Sequence, residues 1–581
     1  MAMLLQAPKG LLVALVISNL GFAVTPALSA ALTAGIISAA LDGRQPLQLI
    51  VALCVLLALR ELCAYTMEVL NRAVGRAIDG DVRSRVRLLL SGMPEQSDVE
   101  DPEVLDAAAL ATTSSGPNGY SQSIGSGAFA QLEDLFRVGS MIASCVVIGQ
   151  ANVPLAVTVG LLVLGLREWR KQLSLRGDDG AAIEAAGSRR TAYWSELAVG
   201  AAGARDLRVF GLGGWARERH YRQATEYLHP LWRARRDALR GQRGVVALMA
   251  GTAAVIFAWP SWLAWNGQIG TAGFVGAIVA GSAAYFATWP SGRAQMTSFA
   301  VSALAAVDYL ERRASENAPA PFATSSDGQI RLERVSFGYG DGPLVIDHFD
   351  LDIAPGEVVG LVGVNGAGKT TLAKLLTGLY QPTTGSVSWP GNSGPPSNTA
   401  VLFSDFVRYP LTLAENVAIS SDGPIDRDAV LDSIRLAAGE DLVEQLPFGI
   451  DTVLSKQQRD GIDLSGGQWQ RVALARILYA VRGGKRLVVM DEPTAFLDAA
   501  IEAEFFDQIV RNLNGASVVL ISHRLSTVRS ADRIALLDGG RLTECGTHGE
   551  LMTAGGRYAS LFRLQASRFE AAGNNLGQGL D

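Results

Sequence analysis

Cysteine, lysine and histidine are all scarce in this chain of 581 residues, and charge is thin along its length. The four cysteines, Cys54, Cys63, Cys145 and Cys545, lie far apart, three of them in apolar runs, which excludes a disulfide framework and a zinc cluster alike. Charged residues make up 18%, below the level of about a quarter usual in soluble domains. Of 50 basic residues only six are lysine, a bias that fits a GC-rich genome better than any chemistry. A basic excess is missing too: residues 1–324 hold 28 Lys and Arg against 25 Asp and Glu, and residues 325–581 hold 22 against 31. Neither half suits a nucleic-acid binder. What the chain has instead is apolar residues, 49% of the total, and a mean hydropathy of +0.21. These exclude a small fibrous or disordered protein and leave room for a membrane block plus soluble domains.

A helix crossing a hydrocarbon core of about 30 Å needs about 20 apolar residues. Leu11–Leu41 runs 31 residues without a charge, too long for a cleaved signal peptide. Further apolar runs predict six spans in all, at about 11–41, 47–67, 135–149, 154–166, 245–265 and 274–290. The second contains Arg60 and Glu61, which either pair near the interface or meet a substrate. Trp259, Trp262, Tyr285 and Trp289 read as interfacial anchors. Three connections are short (Asp42–Pro46, Gln150–Val153, Asn266–Gly273) and two are long. Seven arginines lie from Arg60 to Arg137 and sixteen Lys and Arg from Arg167 to Arg243, against Arg44 alone in the short connections. Positive residues favour the cytoplasm, so the N-terminus, both long loops and everything after span six are expected there. The long loops carry helix-period apolar residues and are expected to extend the spans as helices projecting roughly 45 Å.

Residues 315–328 (SENAPAPFATSSDG) read as a linker between a membrane domain at 1–314 and a second domain at 329–570. There, short Val/Ile/Leu strands alternate with helical patterns, as in a parallel α/β sheet. Residues 571–581 read as a disordered tail.

Gly363-Val364-Asn365-Gly366-Ala367-Gly368-Lys369-Thr370 fits G-x-x-x-x-G-K-[ST], after the apolar strand Val358–Val362 and before a helix that opens at Thr371. Its glycines let backbone amides close on phosphate oxygens. Lys369 can neutralise the β- and γ-phosphates, and Thr370 can hold Mg²⁺. Leu487–Glu492 is a buried strand ending in two carboxylates, Asp491 placed for Mg²⁺ and Glu492 for the attacking water. Ser465, Gly466, Gly467 and Gln468 open a further helix whose free amides suit an anion.

In this order, the P-loop, LSGGQ, Met490-Asp491-Glu492 and Ile521-Ser522-His523 resemble the ATP-binding cassette (ABC) family. With six spans ahead of them, the resemblance covers nearly the whole chain and points to exporter-type half-transporters of the kind found in high-GC bacteria. It implies an all-α six-helix transmembrane domain followed by an α/β P-loop NTPase cassette, with ATP and Mg²⁺ as cofactors. It implies that Tyr339 stacks on adenine, that His523 contacts the γ-phosphate and that Asp498 joins the two sites of a dimer. The LSGGQ of one cassette then completes the ATP site of another, so a second half-transporter is needed, identical or paralogous. Asp101–Leu105 and Ala204–Leu212 fall where such exporters place coupling helices.

One position departs from the pattern. Ser404 stands where such cassettes have a Mg²⁺-binding glutamine. Either hydrolysis is slower or more loosely coupled, or water or Asp405 compensates. The expected function is ATP-driven export of an amphipathic small molecule, lipid or peptide across the cytoplasmic membrane, with no nucleic-acid partner and no peptidase ahead of span one. A fused half-importer of siderophore type and a non-transporting ATP-driven sensor remain as alternatives.

Overall fold

The computed structural model describes the chain except residues 1–7, 94–95, 113–122, 177–192, 195–196, 198–200, 289–292, 317–322, 326, 341, 391–397, 422, 494–509, 511, 514 and 578–581. It divides into two units, residues 1–93 with 98–318 and residues 319–581 with 94–97.

The first unit is helical. Helix Lys9–Leu41 turns at residues 42–46 into Leu47–Gly92, Ile124–Ala151 turns at Asn152 into Val153–Arg176, and Gly213–Trp265 turns at residues 266–270 into Thr271–Phe286. Shorter helices occupy Pro102–Thr112 and Ala201–Val209, with Gln96–Glu100 at the division between the units, and Arg293–Glu316 closes the first unit. At 1.5 Å per residue, Leu47–Gly92 reaches about 69 Å and Gly213–Trp265 about 80 Å, each more than twice a bilayer core. Single helices therefore carry both an apolar run and its charged extension.

Among the described residues three helices are long and apolar enough to cross a membrane: Lys9–Leu41, Leu47–Gly92 and the stretch Arg243–Trp265. Thr271–Phe286 is apolar but has 16 residues. The runs at 135–149 and 154–166 lie in helices whose apolar stretches are shortened by Arg137 and Arg167. The most apolar window of Leu47–Gly92 has none of its residues buried within the protein, as suits a face turned to lipid.

Further along that helix, Val74, Ile78, Val82 and Val86 recur every four residues, which puts them on one face. They bury against Val104, Ile124, Leu132, Val307 and Leu310. Small residues set how closely the helices cross. A Cβ on Gly125 would lie 2.4 Å from the Gly75 carbonyl oxygen, and one on Gly127 would lie 2.2 Å from the Ala300 Cβ.

The second unit holds two sheets. The smaller has the order β1 (Ala323–Ser325), β5 (Thr384–Pro390), β2 (Ile330–Gly338), β3 (Leu344–Ile353). The larger runs β10 (Arg541–Gly546), β9 (Arg533–Asp538), β4 (Val358–Val362), β8 (Ser517–Ile521), β7 (Leu487–Asp491), β6 (Thr399–Leu402). All its pairings are parallel except β10 with β9. Strands β7 and β8 are buried at every residue, so they read as unbroken apolar runs rather than alternating ones. Because β4, β7 and β8 are parallel neighbours, the loops that follow them emerge at one edge, where open α/β sheets place ligands. The final helix, Arg557–Gly577, continues past Ala571, where the composition predicts an irregular tail.

Candidate functional site

The loop after β4 is Gly363–Gly368, and Lys369 opens the helix Lys369–Leu376. Gly366 and Gly368 have φ of 82° and 102°, a left-handed backbone that side chains disfavour. Lys369 is buried, and its Nζ donates to the carbonyls of Gly363 (2.9 Å) and Val364 (3.1 Å). Burial pulls its ammonium below the usual lysine range, while the carboxylates of Glu492 and Asp491 act in the opposite direction.

Asp491 ends β7, buried, and accepts a hydrogen bond from Thr370 Oγ1 at 2.9 Å. Burial pushes its carboxyl up, and the bond from Thr370 pulls it down. Two hard oxygen donors thus converge beside the P-loop, one of them a buried carboxylate that gains from a cation. This donor set fits Mg²⁺. No group of three or more His, Cys, Asp or Glu suited to a metal occurs among the described residues.

Glu492 follows at φ 53°, a strained value for a residue with a side chain. Its amide donates to the Ile521 carbonyl at 2.9 Å, which pins the turn against β8. His523 comes off the end of β8, and its Nδ1 lies 2.8 Å from Glu492 Oε1. Its backbone is held by Gln565 on the last helix: Gln565 Nε2 donates to the His523 carbonyl at 2.6 Å, and Gln565 Oε1 accepts from the Leu525 amide at 3.0 Å.

Ser465 caps the helix Gly466–Arg482 in a reciprocal box with Gln468, Ser465 N donating to Gln468 Oε1 at 2.9 Å and Gln468 N to Ser465 Oγ at 3.3 Å. The box leaves the amides of Gly466 and Gly467 at the helix start without intrahelical acceptors. Two residues on, buried Gln470 donates from Nε2 to the carbonyl of Pro493, next to Glu492. Six residues further, Arg476 donates to Asn416 O (2.9 Å), Asn416 Oδ1 (2.7 Å) and Val407 O (2.9 Å). The helix is therefore tied to the acidic turn and to the segment after β6.

Tyr339 is half-exposed at the end of β2. Its ring meets Phe337 and Tyr380 edge-on at 5.1 and 5.6 Å, and its hydroxyl is 3.0 Å from Thr371 Oγ1. Ser404 lies exposed in the turn after β6, and the neighbouring Asp405 is close enough to push the Asp491 carboxyl further up. Asp498 and Trp289 lie outside the described residues. Trp259 and Tyr285 pack against the core of their unit, and Trp262 is exposed. Arg60 and Glu61 make no ion pair with each other: adjacent helix residues point apart, and the Arg60 guanidinium lies over the Phe22 ring at 5.6 Å. Gln470, Gln565 and Arg476 escape a sequence reading, because their partners are remote and a polar residue inside a helix carries no local mark.

Residues 346–495 match the family described as ABC transporter. The chain is 38% identical over 265 residues to the ATP-dependent lipid A-core flippase of Burkholderia pseudomallei, covering 44% of this chain and 43% of that one. It is 37% identical over 253 residues to the mycobactin import ATP-binding/permease protein IrtB of Mycolicibacterium smegmatis, covering 42% of each. These matches span less than half the length of the relatives. In fold, the chain is similar to a bacterial Atm1-family ABC exporter with ATP bound, with a TM-score of 0.74 and 21% identity over 96% of this chain and 98% of that one.

Proposed function

With a cassette of the ABC transporter family and the fold of an ABC exporter half-transporter as premise, we propose that this chain hydrolyses ATP to export an amphipathic small molecule, lipid or peptide across the cytoplasmic membrane. Residues 1–314 form the membrane domain, 315–328 the linker and 329–570 the cassette. The N-terminus and the cassette lie in the cytoplasm, on the side where Arg is concentrated.

Tyr339 stacks on adenine, and the amides of Gly363–Gly368 with Lys369, Thr370 and Thr371 cradle the phosphates. Thr370 and Asp491 would hold Mg²⁺, which would supply charge neutralisation at the phosphates. Ser404 joins this set through water, or Asp405 acts in its place. Glu492 orients a water and takes its proton as the oxygen bonds the γ-phosphorus and the bridge to the β-phosphate breaks, leaving ADP and phosphate. His523 contacts the γ-phosphate while its Nδ1 holds the Glu492 carboxylate. Ser465, Gly466, Gly467 and Gln468 of a second half-transporter, identical or paralogous, close the site, with Asp498 at the seam. Hydrolysis then resets an alternating-access membrane domain.

The observation that carries this reading is the convergence of Thr370, Asp491, Glu492 and His523 from three adjacent parallel strands at one edge of the sheet. Import is the second reading, favoured by the likeness to a mycobactin importer at nearly the same identity as to a flippase.

The test is ATP turnover by the full chain in lipid. Glu492→Gln is expected to bind ATP but turn over about a hundredfold or more slowly, and wild-type turnover in that variant overturns the reading. Ser404→Gln is expected to raise the rate; an unchanged rate means that water or Asp405 already compensates.

A further inference from the structure

The helical unit holds a partly open cavity of about 360 Å³ between helices Lys9–Leu41, Leu47–Gly92, Ile124–Ala151 and Thr271–Phe286. That is within the range of small-ligand sites. Its wall is apolar at Phe22, Leu57, Phe136 and Phe286, and charged at Arg60, Arg137 and Glu133, for a net charge of +1.

The polar groups around it are unequally satisfied. Glu133 is buried and accepts from Asn71 Nδ2 at 2.7 Å. Arg137 donates to the Ala287 carbonyl at 3.3 Å. The neutral residues turn inward on their own helix: Asn19 donates to Leu15 O, Thr25 to Gly21 O and Ser29 to Pro26 O. Arg60 differs. Its Nε is buried without an acceptor, and its guanidinium rests over the Phe22 ring. A buried donor left without a partner is costly, more so for a charged group and within an apolar slab. Arg60 also lines the cavity, so an anionic oxygen bound there would offset the cost of holding its positive charge in that slab.

We propose that this cavity binds the anionic oxygen headgroup, phosphate or carboxylate, of an amphiphilic cargo. Arg60 meets the anion, Arg137 adds a second positive charge, and the aromatic wall takes the adjoining apolar part. The assignment rests on the reading of the chain as a transporter, since it names the cargo class for that membrane domain.

The test uses the full chain in phosphatidylcholine nanodiscs without nucleotide, so that binding is read separately from ATP turnover. Dodecyl phosphate, dodecyl maltoside and dodecyltrimethylammonium are titrated by calorimetry. The wild type is expected to prefer dodecyl phosphate to both others, and Arg60→Gln to weaken that probe alone by about tenfold or more. Equal affinity of the wild type for the three probes overturns the proposal with no variant needed, and so does undiminished dodecyl phosphate binding by a folded Arg60→Gln. Adding phosphatidylglycerol to the disc separates the sources: competition marks a bilayer lipid, and its absence with binding retained marks a soluble amphiphile. Loss of turnover in Glu492→Gln tests the transporter reading by itself.

Discussion

Gly363 has no room for a side chain, because a Cβ would lie 2.3 Å from the carbonyl oxygen of Leu537 on β9. Gly467, at the start of helix Gly466–Arg482, has no heavy atom within 4 Å of that position. The two glycines therefore fail differently. Gly363→Ala is expected to displace strand backbone at a cost of about 1–3 kcal/mol, lowering the thermal midpoint and ATP binding together. Gly467→Ala is expected to leave the midpoint unchanged and reduce turnover only, because in the proposed mechanism the open space beside it faces the nucleotide of a second cassette. Thermal unfolding and nucleotide binding of the two variants side by side check this. Equal loss of stability in both would remove the distinction. Glu492 is a third case: its φ of 53° would suit glycine, yet a carboxylate stands there, which is how strain tends to be retained at a working group.

At the scale of elements, helix Gly466–Arg482 connects its own N-terminus to two other parts of the cassette. Gln470 reaches the Pro493 carbonyl beside the acidic turn, and Arg476 gathers Asn416 and Val407 with one guanidinium. Asn416, itself buried, in turn donates to the carbonyls of Tyr409, Leu411 and Thr412, so the segment after β6 is held by a partly buried polar network. Arg476→Ala would leave these acceptors unpaired, and we expect a loss of about 2 kcal/mol or more, read as a lower midpoint of thermal unfolding for the full-length protein. Arg476→Lys is expected to recover only part of it, because an ammonium cannot reproduce the planar fork. Full recovery by lysine would show that charge, rather than geometry, is what the segment needs.

At the scale of the whole molecule, the LSGGQ segment of a cassette has no nucleotide of its own to meet in the proposed mechanism, so in that mechanism turnover belongs to a pair of cassettes. Nanodiscs separated by size into those holding one copy and those holding two should differ: ATP binds in both, and hydrolysis occurs in the second. Turnover in single-copy discs would contradict the shared-site mechanism. Binding without turnover in either would point to a paralogous partner. The membrane half sets a further whole-molecule constraint, since a helix of 46 residues with no fully buried residue in its apolar window suits lipid along that stretch.

Much of this was legible in the chain itself. The P-loop, the acidic pair after Met490 and LSGGQ are contiguous, and their chemistry depends on local backbone freedom and on residue spacing, which a sequence displays. The helical membrane half was legible too, although charges such as Arg137 and Arg167 cut two of the expected spans short as isolated apolar helices. Only the fold decided which remote groups meet. Thr370 reaches Asp491 across 121 positions, His523 reaches Glu492 across 31, and Gln565 holds His523 from the last helix. The order of the parallel strands brings these together, and strand order is set by burial of both sheet faces over the whole domain. The same holds for Arg60. Sequence shows a charge in an apolar run, and only the packing of four helices determines that its Nε is enclosed with no acceptor.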